Sequence, residues 1–230
     1  MKKTEQKWTK FNLDKIEDNY PIWPIEIMVK VFFGNYLKGE KPTVNADTKV
    51  LDVGCGFGNN LLPFLVKGCK CKGIEITDEM AKLAQQTIHN RGFNSVEINV
   101  GSNRSLPYKN DEFDLLISNN VIHYENSESD YIDALKEYSR VLKPGGGLFL
   151  MTVGPEHDIY KKAIITNPHT FKIQNWDFRN GESYYYLTNQ KYLEYYLDKL
   201  FIDIETGRVT ERLMNVNLDF LVAFCRKAHK

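Results

Sequence analysis

The sequence predicts an α/β fold, a doubly wound and mostly parallel sheet with helices on both faces. Three patterns carry that expectation. Nearly all-apolar runs of strand length recur at Val50–Val53, Phe113–Ser118 and Leu148–Val153, as strands buried on both faces require. Stretches of helical period alternate with them, which is how parallel strands are connected. The first run passes directly into Gly54, Gly56 and Gly58, three glycines at alternate positions, and then into a helix start.

Composition sets outer bounds. At 230 residues the chain can bury a sizeable core and is expected to form one domain with additions. Its 30 basic and 30 acidic side chains cancel, so no basic field marks a nucleic-acid partner. Met1–Trp8 lacks an apolar signal core, and no run of about 18 apolar residues follows. A soluble, cytoplasmic protein without a membrane partner is therefore expected. Four cysteines fit a reducing compartment. Cys69 and Cys71 alternate on one strand face but lack two further ligands for zinc, so they read as core thiols.

In chain order, residues 1–20 are polar with spaced aromatics, Trp8, Phe11 and Tyr20. Tyr20-Pro21-Ile22-Trp23-Pro24 then stiffens the backbone before a helix expected from Ile25 to about Leu37, with Ile25, Met28, Phe32 and Tyr36 as its apolar stripe. After strand one, the glycines permit positive φ and close approach of a ligand to bare backbone. A helix is expected over Asn60–Val66, with Pro63 confined to its first turn. A strand, a glycine turn and a helix N-terminus together make a nucleotide-shaped pocket. The spacing G-x-G-x-G is one residue short of the dinucleotide fingerprint. Asp52 at the strand end disfavours a pyrophosphate and favours a ligand bearing an ammonium or sulfonium.

Strand two is expected to end in Gly73-Ile74-Glu75-Ile76-Thr77, with Glu75 where an acid chelates ribose hydroxyls, or else as a solvated strand end. Thr77 caps the next helix, whose inward stripe is Met80, Leu83, Ala84, Thr87 and Ile88. Strand three is Ser95–Val100. Strand four exits through Asn119-Asn120-Val121-Ile122-His123-Tyr124 at the carboxyl end of the sheet, the side on which such sheets bind ligands. A helix from Ser127 to Leu142 follows, and Pro144-Gly145-Gly146 turns the chain into strand five. Residues 154–187 show neither period, and read as a substrate lid or as an irregular cover. Thr188–Leu200 reads as a helix, then Phe201–Leu213 and Val216–Phe224 as two strands around Met214-Asn215.

The block Leu51-Asp52-Val53-Gly54-Cys55-Gly56-Phe57-Gly58 resembles the S-adenosylmethionine loop of class I methyltransferases. Gly73–Thr77, Phe113–Asn119 and Arg140–Leu148 match further blocks of that family in order and distance, over about Lys49–Val153. The resemblance implies a Rossmann-like seven-stranded sheet completed by a C-terminal antiparallel hairpin. It divides the chain into an N-terminal helical cap (1–48), a cofactor-binding core (49–153), a substrate lid (154–187) and a C-terminal helix with hairpin (188–230). It implies S-adenosyl-L-methionine as cofactor, leaving S-adenosyl-L-homocysteine, with no metal. The implied contacts are Asp52, Gly54, Cys55, Gly56, Gly58, Asn59 and Asn60 in the loop. Glu75, Ile76, Thr77 and Met80 follow strand two, and Ser102, Asn103 and Asn119 follow strands three and four. Ser102 stands where relatives often carry an acid for the adenine amine. Tyr20 and Trp23 either close over the site or belong to a helix that only covers the sheet edge.

Methyl transfer needs alignment more than a catalytic pair, and a hydroxyl acceptor adds the need for a base. His123 and His157 are the candidate bases, against the alternative that each only packs near the ligands. Trp23, Tyr124, Tyr160 and Arg179 are the candidate acceptor contacts. The Asn-Pro-Pro-aromatic motif of amino-group methyltransferases is absent. The expected acceptor is thus a small or sugar-like molecule, methylated at oxygen. Arg179 with Lys161-Lys162 reads either as a site for an anionic, phosphate- or nucleotide-linked substrate or as exposed charge. A faint resemblance points to enzymes of bacterial surface-polysaccharide pathways. The alternative is a regulatory or interaction subunit that uses the fold without catalysis.

Overall fold

A computed structural model describes residues 3–17, 23–174 and 180–229. Helices α1 (Lys3–Glu17) and α2 (Glu26–Phe33) precede a sheet region that alternates strand and helix. It runs β1 (Lys49–Val53), α3 (Leu62–Val66), β2 (Lys70–Glu75), α4 (Asp78–His89), β3 (Glu97–Val100), β4 (Phe113–Asn119), α5 (Glu128–Val141) and β5 (Leu142–Val153). Three short strands follow, β6 (Ala163–Asn167), β7 (Thr170–Ile173) and β8 (Ser183–Tyr185). Helix α6 (Gln190–Leu197) and the long strands β9 (Phe201–Leu213) and β10 (Val216–Lys227) complete the chain.

The main sheet has seven strands in the order β3-β2-β1-β4-β5-β10-β9. Strands β1 to β5 pair in parallel, and β10 lies antiparallel to both β5 and β9, as the expected hairpin. Strand order reverses between β1 and β4, which opens a crevice at their carboxyl ends. The period of two in the strands explains the two cores. Leu51, Val53 and Leu116 face α5 and α6, where Tyr131, Leu135, Tyr138, Leu193 and Leu197 are buried. Val50, Leu115 and Ile117 face α2, α3 and α4, packing with Phe32, Phe64 and Ile88. All four cysteines are buried and free. Among the described residues, no helix is long and apolar enough to cross a membrane.

Several element boundaries differ from the sequence expectation, each for a local reason. Helix α2 stops at Phe33, because Gly34 is extended and its N–H closes onto the Lys30 carbonyl. Tyr36, the last member of the expected stripe, is exposed. The helix expected over Asn60–Val66 begins as a 3-10 turn, Asn59–Leu61, set by left-handed Gly58, and becomes α-helical only at Leu62. Strand β5 starts at Leu142 rather than Leu148. The glycines after Pro144 form an irregularity inside the strand, since Phe113 pairs with Leu142 but Leu115 with Gly147.

The largest difference lies after β5. The stretch read as aperiodic forms a 3-10 turn, Asp158–Lys162, and then a second, antiparallel sheet of β6, β7 and β8. Its strands are too short to show a period, and their core is non-local. Phe171, Ile173 and Tyr184 pack on Val153 at the end of β5 and on Ile159.

Candidate active site

The crevice between β1 and β4 continues under the second sheet as one cleft of about 1120 Å³. Its floor is the glycine turn. Gly54 has φ +66°, and a Cβ there would lie 2.5 Å from Val121 Cγ2, so backbone strain and packing both select glycine. Gly56, at φ +59°, differs. A Cβ there would meet nothing within 4 Å, because the residue faces the cleft. Gly58 turns away from the cleft and packs against Ile88 of α4.

Glu75, at the end of β2, fastens this turn. Its carboxylate accepts hydrogen bonds from the N–H of Gly56 at 2.6 Å and of Ile76 at 3.1 Å. It is buried, and burial raises its pKa to about 7 against the opposing pull of those two N–H groups. Asp52 sits one layer lower. It is fully buried, neither carboxylate oxygen has a hydrogen-bond partner, and burial with the nearby Glu75 charge pushes its pKa well up. Its side chain does not reach the cleft lining.

The sequence candidates separate accordingly. Cys55, Asn59, Asn60, Ile76, Ser102, Asn103 and Asn119 join Gly54, Gly56 and Glu75 in the lining. Gly58, Thr77 and Met80 do not. Thr77 caps α4 by accepting from the Met80 N–H at 3.2 Å and meets Thr9 Oγ1 of α1 at 3.0 Å. Met80 is wholly buried. Asn59 and Asn60 hold the N-terminal segment on the turn, through the Trp23 carbonyl and, at 3.0 Å, the Ile25 N–H. Trp23 is exposed over the cleft rim. Asn103 is anchored behind the surface, accepting from Tyr138 Oη at 2.6 Å and donating to Glu125 at 3.0 Å. Tyr20 and Arg179 lie outside the described residues.

The far half of the cleft is aromatic. His123 is buried in the 3-10 turn after β4, its ring stacked on Tyr124 at 4.7 Å and edge-on to Tyr184 of β8 at 5.6 Å. Trp8 of α1 reaches Tyr124 at 6.3 Å. His157 also lines this half, but its Nδ1 accepts from the Ile159 N–H at 3.0 Å. The neutral ring then carries its proton on Nε2, and so offers a donor rather than a base. Tyr160 does not line the cleft. Its ring packs on Phe171 and Tyr186 at 4.6 and 4.8 Å. Lys161 is paired with Asp158 at 2.6 Å, and neither it nor Lys162 lines the cleft.

Sequence reasoning missed Trp8, Asn120, Glu182 and Tyr184. Asn120 lies two residues beyond the expected strand end at Ser118 and directly after β4, and its left-handed φ of +57° is a conformation that asparagine tolerates. That was the one available signal. Trp8, Glu182 and Tyr184 arrive from distant parts of the chain.

Three comparisons bear on this geometry. Residues 51–150 match a family described as a methyltransferase domain. The chain is 33% identical over 120 residues to the uncharacterized methyltransferase YcgJ of Bacillus subtilis, covering 52% of this chain and 46% of that protein. It is 31% identical over 124 residues to demethylmenaquinone methyltransferase of the same organism, covering 52% of each. The chain thus spans about half the length of the curated relatives it matches. A SAM-dependent methyltransferase structure from Methanosarcina mazei superposes with a TM-score of 0.67 at 23% identity, over 81% of this chain and 95% of that one, which is a likeness of fold. The glycine turn, the acid after β2 and the β4 exit share one cleft, and all three lie within residues 51–150, the stretch that matches the methyltransferase domain.

Proposed function

We propose that the chain transfers the methyl group of S-adenosylmethionine to a hydroxyl of a small, sugar-like acceptor. The observation that carries this reading is the continuity of one cleft from the Glu75–Gly56 cradle to the aromatic half around His123. The residues present fit the cofactor by their chemistry. Glu75 offers carboxylate lone pairs, and the amide oxygens of Asn119 and Asn120 are buried in the lining without a partner. S-adenosylmethionine brings the complementary donors, an ammonium, two ribose hydroxyls and an adenine amine. The space over Gly56 leaves room for it against bare backbone.

S-adenosylmethionine supplies an electrophilic sulfonium methyl that a nucleophile takes in one displacement. The chain's own contribution is alignment, worth about 7–11 kcal/mol in favourable cases. Glu75 and the glycine turn fix one partner, and Tyr124, Tyr184 and Trp8 wall in the other. His123 takes the hydroxyl proton as attack proceeds, a role worth about 10²–10⁴-fold. Its place at the β4 exit, stacked on Tyr124, supports that assignment. His157, by its tautomer, orients an acceptor oxygen by donating to it. A phosphate- or nucleotide-linked sugar of a surface-polysaccharide pathway remains within the proposed acceptor class, with Arg179 as its anion contact.

Calorimetric titration with S-adenosylmethionine and S-adenosylhomocysteine tests the reading, with micromolar dissociation constants expected for both. Acceptors are then screened by release of S-adenosylhomocysteine, using neutral, amino- and nucleotide-linked sugars. Binding of neither compound overturns the proposal in favour of an interaction subunit.

A further inference from the structure

The acceptor half of the cleft contains a carboxylate that methyl transfer does not call for. Glu182, just before β8, is only 8% exposed and lines the cleft. Its Oε2 accepts from Tyr184 Oη at 2.8 Å, while its Oε1 is buried with no hydrogen-bond partner. A buried carboxylate is normally paired with a cation or saturated with donors, because an unfilled charged acceptor is costly away from water. Among the described residues, neither cationic side chain in the lining has a hydrogen bond or ion pair with Glu182. Arg104 bridges Glu125 at 2.9 Å and Asp130 at 2.8 Å, and Lys7 donates to the Asn180 carbonyl at 3.2 Å.

The surroundings of Glu182 suit a positive ligand. Tyr184 stands edge-on to Tyr124 at 4.8 Å, and Trp8 extends the same aromatic wall. Aromatic faces attract ammonium groups, and the attraction strengthens in a desolvated site. A phosphate at this position would meet a carboxylate and ring faces, both of them repulsive.

We propose that Glu182 is the specificity-determining residue for the acceptor, and that it pairs with an ammonium group on an amino-hydroxy compound such as an amino sugar or amino alcohol. This rests on the methyltransferase reading above and narrows its acceptor class. An amine paired with a carboxylate stays protonated and has no lone pair to attack a methyl. The ammonium therefore anchors the molecule, and a hydroxyl elsewhere on it receives the methyl group, which agrees with oxygen as the target.

The test uses the full chain saturated with S-adenosylhomocysteine and matched probe pairs, glucosamine against glucose and ethanolamine against ethylene glycol. Binding is followed by ligand-observed magnetic resonance. The amine of each pair is expected to bind at least tenfold more tightly than its neutral partner. In Glu182→Gln, which keeps the shape and one acceptor oxygen, the preference should fall below threefold with S-adenosylhomocysteine affinity unchanged. Equal binding within the pairs, no binding of either amine, or a preference that survives in Glu182→Gln overturns the inference. Should the variant fail to fold, the wild-type pairs alone decide. Failure of S-adenosylhomocysteine to bind wild type brings down the methyltransferase reading, and this inference with it. Normal cofactor binding without an amine preference brings down only the inference.

Discussion

The two halves of the cleft are built on different principles. The cofactor half is a local device, in which β1, its glycine turn and the end of β2 lie side by side, and Glu75 locks Gly56 across 19 residues of sequence. Its polar groups are tied to backbone. The acceptor half is assembled from α1, the turn after β4, strand β8 and the start of β10, and aromatic faces hold it together. On the proposed reading, a locally built half for the cofactor and a composite half for the acceptor would let the acceptor side change without rebuilding the sheet, because function resides in what is grafted onto it. The comparison predicts that variants of the two halves fail in different measurements.

The largest effect is expected at the junction. His123→Asn removes the proposed base while leaving Glu75 and the glycine turn intact. Turnover should fall by about 10²–10⁴-fold with cofactor affinity unchanged. Steady-state rates beside a calorimetric titration read both quantities. Undiminished turnover would take His123 out of the chemistry and leave it as packing against Tyr124.

In the cofactor half, Glu75→Ala should weaken S-adenosylhomocysteine binding by at least about tenfold, since hydrogen bonds to a charged group are worth about 1.5–3 kcal/mol. Part of that loss comes from the turn itself, because the Gly56 and Ile76 N–H groups lose their acceptor. The amine preference of the acceptor half should be preserved in this variant at saturating cofactor. Loss of both properties would mean that the two halves are coupled.

Protonation separates the halves more gently. Burial raises the Glu75 pKa to about 7 from an ordinary value of 4.5. Between those values the folded chain keeps a proton that the unfolded chain has released, so stability of the ligand-free protein falls as pH rises through that window. Ribose hydroxyls donate best to the charged carboxylate. S-adenosylhomocysteine affinity should therefore rise with pH up to about 7 and flatten above it. Titrations at pH 6, 7 and 8 check the slope, and Glu75→Gln should remove it. A slope that persists in that variant assigns it to another group.

Legibility in the sequence follows the same division. The main sheet was readable because β1, β4 and β5 are buried on both faces and are therefore nearly continuous in apolar residues. The glycine turn was readable because Gly54–Asn60 are consecutive, and Glu75 because it ends the next strand, 19 residues beyond Gly56. Asp52 shows the limit of that reading. An acid at a strand end alternates with Val53, and the alternation turns Asp52 beneath the cleft wall while Val53 lines it. The acceptor half was barely readable. Strands of three to five residues carry no usable period, and Glu182 has no motif around it. The role proposed for it rests on an unfilled oxygen, which only the packed structure defines.

Tyr160 offers the smallest expected effect and the sharpest test of where the acceptor half ends. It was a candidate acceptor contact, yet its ring packs on Phe171 and Tyr186 and its hydroxyl is buried with no hydrogen-bond partner. A hydroxyl in that state costs stability, because it has left water without gaining a protein partner. Tyr160→Phe keeps the ring contacts and deletes the cost. Stability should rise by about 1 kcal/mol, a midpoint increase of about 2–4 °C for a chain of this size, with kcat and KM unchanged. A fall in turnover would mean that the hydroxyl meets the acceptor after all, and that the cleft extends behind β7 when substrate binds. An unchanged midpoint with unchanged kinetics would mean that the hydroxyl is solvated in solution, which leaves the boundary of the acceptor half where the aromatic wall of Tyr124 and Tyr184 places it.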